Sequence, residues 1–169
     1  MDALSTALSP DAAALAAFLA AAPLAALAGL WDLRRLRIPN RLNVALVLLF
    51  LPIGALSLPL DLFGYRIAGA LLVLFLGLLL FASGRMGGGD VKMLAAGALY
   101  VPGPQAPAML MLLSAALIAG VAFIYLMRYA LGPGERSWLG LTRGARYPMG
   151  VSIGAALIVH LGLNLSLPA

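Results

Sequence analysis

Apolar runs recur along this chain, each closed by charge, proline or glycine, and about twenty such residues is the length a helix needs to cross a bilayer. A helix satisfies its own backbone hydrogen bonds in hydrocarbon, so runs of this kind read as an all-α bundle of spanning helices. Composition agrees: 63% of the 169 residues are hydrophobic and only 10% are charged, against roughly 25% charged in soluble domains. The reading is a polytopic integral membrane protein with a single membrane-embedded domain over residues 1–169 and no room for a soluble one. Without cysteine there is no disulfide, thiol nucleophile or thiolate zinc site. A single histidine argues against a histidine-rich metal centre, and neither metal nor cofactor is expected. The formal charge of +5 is not a nucleic-acid signal, because membrane proteins concentrate cations on the cytoplasmic side. Near the N-terminus Asp2 and Asp11 stand without a cation, which argues against the basic region that opens a cleaved signal peptide.

Ser9-Pro10-Asp11 reads as a helix start, with a capping serine, proline in the first turn and an acid at the positive dipole end. The first span then covers about Ala12 to Trp31, ending at Asp32 and a cluster of Arg34, Arg35, Arg37 and Arg41 interrupted by Ile38-Pro39-Asn40. A second span covers about Leu42 to Leu60, kinked near Pro52 and Gly54, and Asp61 to Arg66 reads as a turn. The third covers Ile67 to Ala82. A fourth starts at Val91 and meets Pro102 after only 11 residues, about half of what a 30 Å core requires. The fifth covers Ala108 to Met127. The sixth, from Pro148 to Leu163, carries Gly150-x-x-x-Gly154, a pair suited to close helix packing and to contact with a second copy of the chain.

Charge placement decides whether the short fourth segment crosses. With six spans, Arg34, Arg35, Arg37, Arg41, Arg85, Lys92, Arg128, Arg136, Arg143 and Arg146 all fall on one side and only Arg66 on the other. That side is then cytoplasmic, with both termini outside. Were the fourth segment re-entrant, the loop from Arg128 to Arg146 would switch sides and the bias would collapse.

The segment Gly87-Gly88-Gly89-Asp90-Val91-Lys92 puts a carboxylate on three glycines in a chain that is mostly hydrocarbon. Intramembrane or boundary acids are costly and mark functional sites. Glycines admit close backbone approach and positive φ. Six spans bring Asp32, at the inner end of the first, and Asp90, at the inner start of the fourth, to the same boundary. Two neighbouring carboxylates can share a proton, one as general base and the other as general acid, which is the apparatus of an aspartyl protease. A plainer reading stands beside it: Asp32 pairs with Arg34, Arg35 or Arg37, and Asp90 caps the helix starting at Val91. Lys92 lies on a different helix face from Asp90, free to snorkel to phosphate or to orient substrate. Asn40 and Asn43 suit either orienting a carboxylate or capping the second span, and His160 reads as a packed or hydrogen-bonded residue. Glu135, beside Arg136, reads as a surface charge.

Taken together, Asp32 followed by Ile38-Pro39-Asn40, then Gly87-Gly88-Gly89-Asp90-Val91-Lys92, then Tyr147-Pro148-Met149-Gly150, resemble the type IV prepilin peptidases, membrane aspartyl proteases with a Gly-x-Gly-Asp motif. The chain looks closest to their short, peptidase-only form associated with Flp or tight-adherence pili. The resemblance implies a catalytic pair of Asp32 and Asp90, with Gly87, Gly88, Gly89, Lys92, Pro39 and Asn40 as motif or substrate support. It implies prepilin or pseudopilin substrates with short basic leaders, cut after glycine at the cytoplasmic face of a bacterial inner membrane. Larger members also methylate the new N-terminus through a cysteine-bearing domain; with no cysteine and a short loop after Asp32, no methyltransferase activity is expected here. A strongly basic face does not attract a basic leader, so anionic membrane lipid is the expected holder. Two other classes remain as alternatives: a proton- or ion-coupled transporter, whose paired acids usually lie near the midplane with internal repeats, and a non-catalytic assembly factor working through the Gly150/Gly154 face.

Overall fold

The computed structural model describes residues 8–132 and 137–166. Glu135 and Arg136, as well as Asp2, lie outside the described residues. Six α-helices are present among them: α1 (Pro10–Arg35), α2 (Asn40–Ser57), α3 (Leu60–Ala82), α4 (Gly88–Ala98), α5 (Ala106–Leu131) and α6 (Met149–Ser166), with short 3₁₀ turns at Gly103–Gln105 and Leu139–Leu141. The fold is all-α. Four segments are long and apolar enough to cross a membrane: Pro10–Arg35, Asn40–Ser57, Leu60–Ala82 and Gly103–Leu131. Of the other two helices, α4 has only 11 residues and α6 is a shorter apolar stretch over Met149–Leu165.

Local sequence accounts for the boundaries. Ser9 caps α1, its Oγ accepting from Ala12 N–H at 3.2 Å, with Pro10 at the helix start and Asp11 in the first turn. Residues Asp61 to Arg66, expected as a turn, are instead the opening of α3. Pro59 sets the extended entry and Asp61 lies in the first turn, where an acid favours the positive dipole end. Charges in its first two turns do not break the helix. Pro52 lies inside α2, and Gly54 serves packing: a Cβ there would stand 2.8 Å from the Phe63 ring. Phe63 stacks on Phe50 at 5.9 Å, and Phe50 meets Tyr100 edge-on at 5.3 Å.

The core is built where α1, α4 and α6 meet, with Ala21, Ala25, Ala28, Met93, Ile153 and Leu157 buried. Small residues on α1 let α6 approach to backbone distance. A Cβ on Gly154 would lie 2.6 Å from the Ala25 carbonyl oxygen, and one on Gly29 would lie 3.2 Å from Val151 Cα. The Gly150/Gly154 face is therefore spent on α1 within the chain. This corrects its expected role in self-association, since a face already covered to backbone contact cannot also bind a second copy. On the other flank Gly77 of α3 admits Val91 of α4, whose Cγ1 would lie 2.6 Å from a Cβ there.

The short α4 is the buried element of the bundle, with Val91, Met93, Ala95, Ala96 and Gly97 all covered. It runs from the end holding Asp90 to a cavity of about 560 Å³ at the opposite end, which Tyr100 and Gln105 share with Pro10 of α1, Ser57 of α2 and Asn164 of α6. A short helix suffices there because its neighbours, not lipid, surround it. Arg66, the lone cation expected on that side, lines the same cavity and donates to the Leu99 carbonyl at 3.2 Å. His160 is buried and bonded to Asn164 at 3.3 Å, which in turn reaches Gln105 at 3.1 Å. It is a packed, hydrogen-bonded residue far from the acids.

The α1–α6 seat can be tested by adding one methyl group. Gly154→Ala forces its Cβ into a backbone carbonyl and is expected to destabilise by about 1–3 kcal/mol, the usual cost of overpacking. Gly69→Ala, at a helical site with nothing within 4 Å, is expected to be neutral or to stabilise by up to about 1 kcal/mol. Thermal unfolding in detergent reads both; equal midpoints would show that α6 does not rest on α1 through Gly154.

Candidate active site

Asp32 lies in the last turn of α1 and Asp90 in the first turn of α4. Both line one cavity of about 600 Å³, together with Ile38, Pro39, Asn40, Gly87, Gly88, Gly89, Lys92, Arg146 and Tyr147. The acids are close enough for the charge of Asp32 to bear on Asp90, with Arg146 opposing it.

Each acid is held at a helix start. Asp32 is 5% exposed, and its Oδ2 accepts from the Gly150 backbone N–H at 2.8 Å. Gly150 is the second residue of α6, where N–H groups have no partner within the helix. It has to be glycine: a Cβ there would lie 3.0 Å from Asp32 Cβ and 2.9 Å from Ile38 Cδ1. Asp90, the third residue of α4, turns back so that its carboxylate accepts from the Gly87 N–H, the return half of a capping box. The carboxylates thus face the positive ends of two helices, fixed dipoles that cannot swing away as a side-chain cation can.

Several expectations change at this level. Asp32 does not take an arginine partner from its own helix end: Arg34 lies over the Trp138 ring at 4.7 Å and Arg35 over Trp31 at 5.1 Å. Asp90 is not an N-cap, because α4 starts at Gly88 with Gly87 as the cap residue. Positive φ is not what the triplet supplies either; Gly87 has φ −74°, and the left-handed glycine nearby is Gly84. Close approach is what it supplies. A Cβ on Gly89 would stand 3.2 Å from Ile38 Cβ and 3.4 Å from Ile38 N, so the start of α4 rests on the linker that leaves α1.

The asparagines do other work than expected. Pro39 is the cap residue of α2 and no side chain caps that helix. Asn40 Oδ1 accepts from Lys92 Nζ at 3.1 Å, and Asn43 Nδ2 donates to the Gly89 carbonyl at 3.4 Å. Both tie α2 to the start of α4, and neither bonds to a carboxylate. Lys92 meets Asn40 at the cavity rim rather than standing alone.

The fourth wall is the segment before α6, whose part in the site sequence reasoning missed. Arg128, buried at the end of α5, donates from Nε and Nη2 to the Gly140 carbonyl at 3.0 and 2.7 Å, and from Nη2 to the Arg146 carbonyl at 3.0 Å. Gly140 in turn sits against the Leu33 backbone of α1. This clamp brings Arg146 and Tyr147 to the acids. Ser152 Oγ gives its proton to the Ala116 carbonyl, so the Tyr147 hydroxyl is the donor in its bond to Ser152. Burial pushes the Tyr147 phenol above its ordinary value, which keeps that donor protonated. The available signal was Pro148-Met149-Gly150 itself: a helix start whose free N–H groups suit an anion.

The triplet should rank by what each new Cβ meets. Gly87→Ala puts a Cβ 2.6 Å from Asp90 Oδ2 and Gly89→Ala presses on Ile38, whereas Gly88→Ala meets only the Phe81 ring at 3.4 Å. Unfolding midpoints are expected to show losses of about 1–2 kcal/mol for the first two and near zero for the third. A destabilising Gly88→Ala with a silent Gly89→Ala would reverse the account.

Comparison with curated proteins and with solved structures gives no match. The family model of the type IV leader peptidases matches residues 19–125, more than half of the chain, and this stretch contains both acids, Pro39-Asn40 and the glycine triplet. Tyr147-Pro148-Met149-Gly150 lies beyond it, supplying the N–H that holds Asp32. With its apolar helices and its paired acids at one end of the bundle, this membrane protein belongs to the type IV leader peptidase family.

Proposed function

We propose that the protein is an aspartic endopeptidase that removes short basic leaders from prepilins or pseudopilins at the cytoplasmic membrane face, with Asp32 and Asp90 as its catalytic pair. The observation that carries this is the shared cavity: two carboxylates from different helices, each anchored by a backbone N–H at a helix start, open onto one space large enough for a peptide. Family membership supplies the substrate class. In the reaction one carboxylate takes a proton from water as its oxygen adds to the scissile carbonyl carbon, while the other, protonated, gives its proton to the carbonyl oxygen. Collapse of the tetrahedral diol breaks the C–N bond: the first carboxyl passes the proton taken from water to the departing nitrogen, and a diol hydroxyl returns a proton to the second carboxylate as the new carboxyl group forms. One water is consumed and the pair returns to its starting state. The anchoring N–H bonds hold the carboxylates in place through this exchange.

Orientation follows from charge. The acid end carries Arg34, Arg35, Arg37, Arg41, Lys92, Arg143 and Arg146, and the opposite end Arg66. We read the acid end as cytoplasmic, with six crossings and both termini outside.

Asp32→Asn and Asp90→Asn are each expected to lower cleavage of a leader-bearing prepilin by about 10²–10⁴-fold, since the amide keeps the shape but not the transferable proton. Mass measurement of the product reads this directly, and near-native cleavage by either variant would remove the pair from the mechanism.

Sidedness is testable because the chain has no cysteine. Single cysteines at Ser83 and Ser137 are expected to react with an impermeant thiol reagent only from the cytoplasm, and one at Gln105 only from outside. Labelling of position 137 from outside would mean that α4 turns back within the membrane.

A further inference from the structure

Arg66, in the second turn of α3, turns into the bundle, whereas the ordinary course for a boundary arginine is outward to the headgroup layer. It is partly buried and donates to the Leu99 carbonyl at the end of α4 at 3.2 Å, and its charge bears on His160 of α6. Among the described residues no carboxylate pairs with it. The bond to Leu99 leaves most of its N–H groups over, in a fork that fits two phosphate oxygens. Such a cation within a membrane bundle calls for a partner. Two spaces meet at this residue. One is the cavity of about 560 Å³ at the end opposite the acid pair, and the other is an apolar groove of about 280 Å³ between α3, α4 and α5. Arg66 lines both, and no other described residue does. Gly69 and Val73 of α3, Leu94 and Gly97 of α4, and Met109 and Leu113 of α5 wall the groove. From Arg66 to Val73 it follows seven residues of helix rise, about 10 Å. Tyr65 and Leu110, which also line it, are largely exposed, so the groove opens on the lipid side of the bundle.

We propose that these two spaces hold one phospholipid of the outer leaflet, with its phosphate on Arg66, its headgroup in the cavity and an acyl chain in the groove. A polar space joined to an apolar one through an arginine has the order of parts of such a molecule: headgroup, phosphate, chain. Charge chooses among occupants. A bare hydrocarbon or an apolar peptide segment leaves the guanidinium without a counter-charge, whereas a phosphodiester brings that charge on oxygens that suit the fork. The rest of the cavity selects the headgroup. Asn164 directs its amide nitrogen to Gln105 Oε1 at 3.1 Å and to His160 at 3.3 Å, which leaves its Oδ1 to accept and Gln105 Nε2 to donate. Asp11 lines the same cavity without an ion pair to Arg66. A primary ammonium uses both acceptors, so the matching headgroup is a phosphodiester carrying one, the chemistry of phosphatidylethanolamine. A glycerol headgroup brings no cation to Asp11, and a trimethylammonium has no N–H to donate. The site lies at the other end of the bundle from Asp32 and Asp90. It stands apart from the proteolytic reading and uses only the orientation in the membrane.

The full chain, purified in detergent and stripped of lipid, is titrated with dioleoyl phosphatidylethanolamine and with the corresponding phosphatidylglycerol and phosphatidylcholine. Glycerophosphoethanolamine and inorganic phosphate serve as soluble probes. Native mass spectra count the bound molecules, and unfolding midpoints give apparent affinities. One phosphatidylethanolamine per chain is expected to bind ahead of the other lipids, and the soluble probes about ten-fold more weakly or worse, because they leave the groove empty. Arg66→Gln is expected to weaken this lipid about ten-fold, and Asp11→Asn to cut the preference over phosphatidylglycerol about five-fold. Gly69→Leu fills the groove where a new Cβ meets nothing within 4 Å. It is expected to weaken the lipid while its lipid-free midpoint stays at or above that of the native protein, so that lost binding is not lost folding. Asp90→Asn is expected to bind the lipid as the native protein does. Native affinity in Arg66→Gln or Gly69→Leu, equal affinity for the three lipids, or a soluble probe as tight as the lipid would each overturn the proposal. So would spectra in which the added mass is a peptide or a second chain.

Discussion

Everything at the acid end depends on one buried contact, the bond from the Gly150 N–H to the Asp32 carboxylate. It joins the last turn of α1 to the first turn of α6, and the two helices can meet there only because the position facing Asp32 has no side chain. A carboxylate taken out of water has to be given hydrogen bonds or a counter-charge. Here the supply is the unpaired N–H of a helix start, part of the backbone and fixed in direction. An arginine would neutralise the acid more strongly and would also occupy the space a substrate needs. With Arg34 and Arg35 directed onto tryptophan rings, the carboxylate keeps an open face toward the cavity.

Asp90 uses the same device on α4, and the glycines around it are explained by distance more than by backbone freedom. Gly87 leaves room for the returning carboxylate and Gly89 for the linker through Ile38, while Gly77 on α3 receives Val91 so that the helix carrying Asp90 is gripped from behind. The result is a short helix with little exposure to lipid, whose position is set by side-chain removal on three sides. Such a seat tolerates no added volume, so it fixes where Asp90 stands in the cavity that it shares with Asp32.

The fold was legible where periodic hydrophobicity and punctuation coincide. Ser9-Pro10-Asp11 capped α1 as expected, and each of the six apolar segments read from the sequence formed a helix, the short fourth one included. The expectation failed where a local rule met a tertiary need. Asp61 and Arg66 read as a turn because two charges interrupt the apolar pattern, yet both are carried on the first turns of α3. Gly150-x-x-x-Gly154 was readable as a packing face, but a spacing rule does not say which helix fills it, and α1 does. The pairing of the two acids on one end followed from topology alone. The Arg128 clamp and the approach of Tyr147 did not, because contacts between a loop and a helix terminus leave no period in the sequence.

The charge of the cavity bears on how a substrate is chosen. Its lining carries four cations, Arg35, Arg37, Lys92 and Arg146, against two acids. A basic leader entering this space gains little from Asp32 and Asp90, which already face helix dipoles and Arg146, and it meets like charge around the rim. Attraction at the cavity is therefore a poor basis for selecting basic leaders, whereas the anionic headgroup layer outside it attracts them at roughly 1 kcal/mol per cation. That attraction fixes depth but not register along the chain. Register requires a contact that changes when the peptide slides by one residue, and a surface of uniform charge offers none.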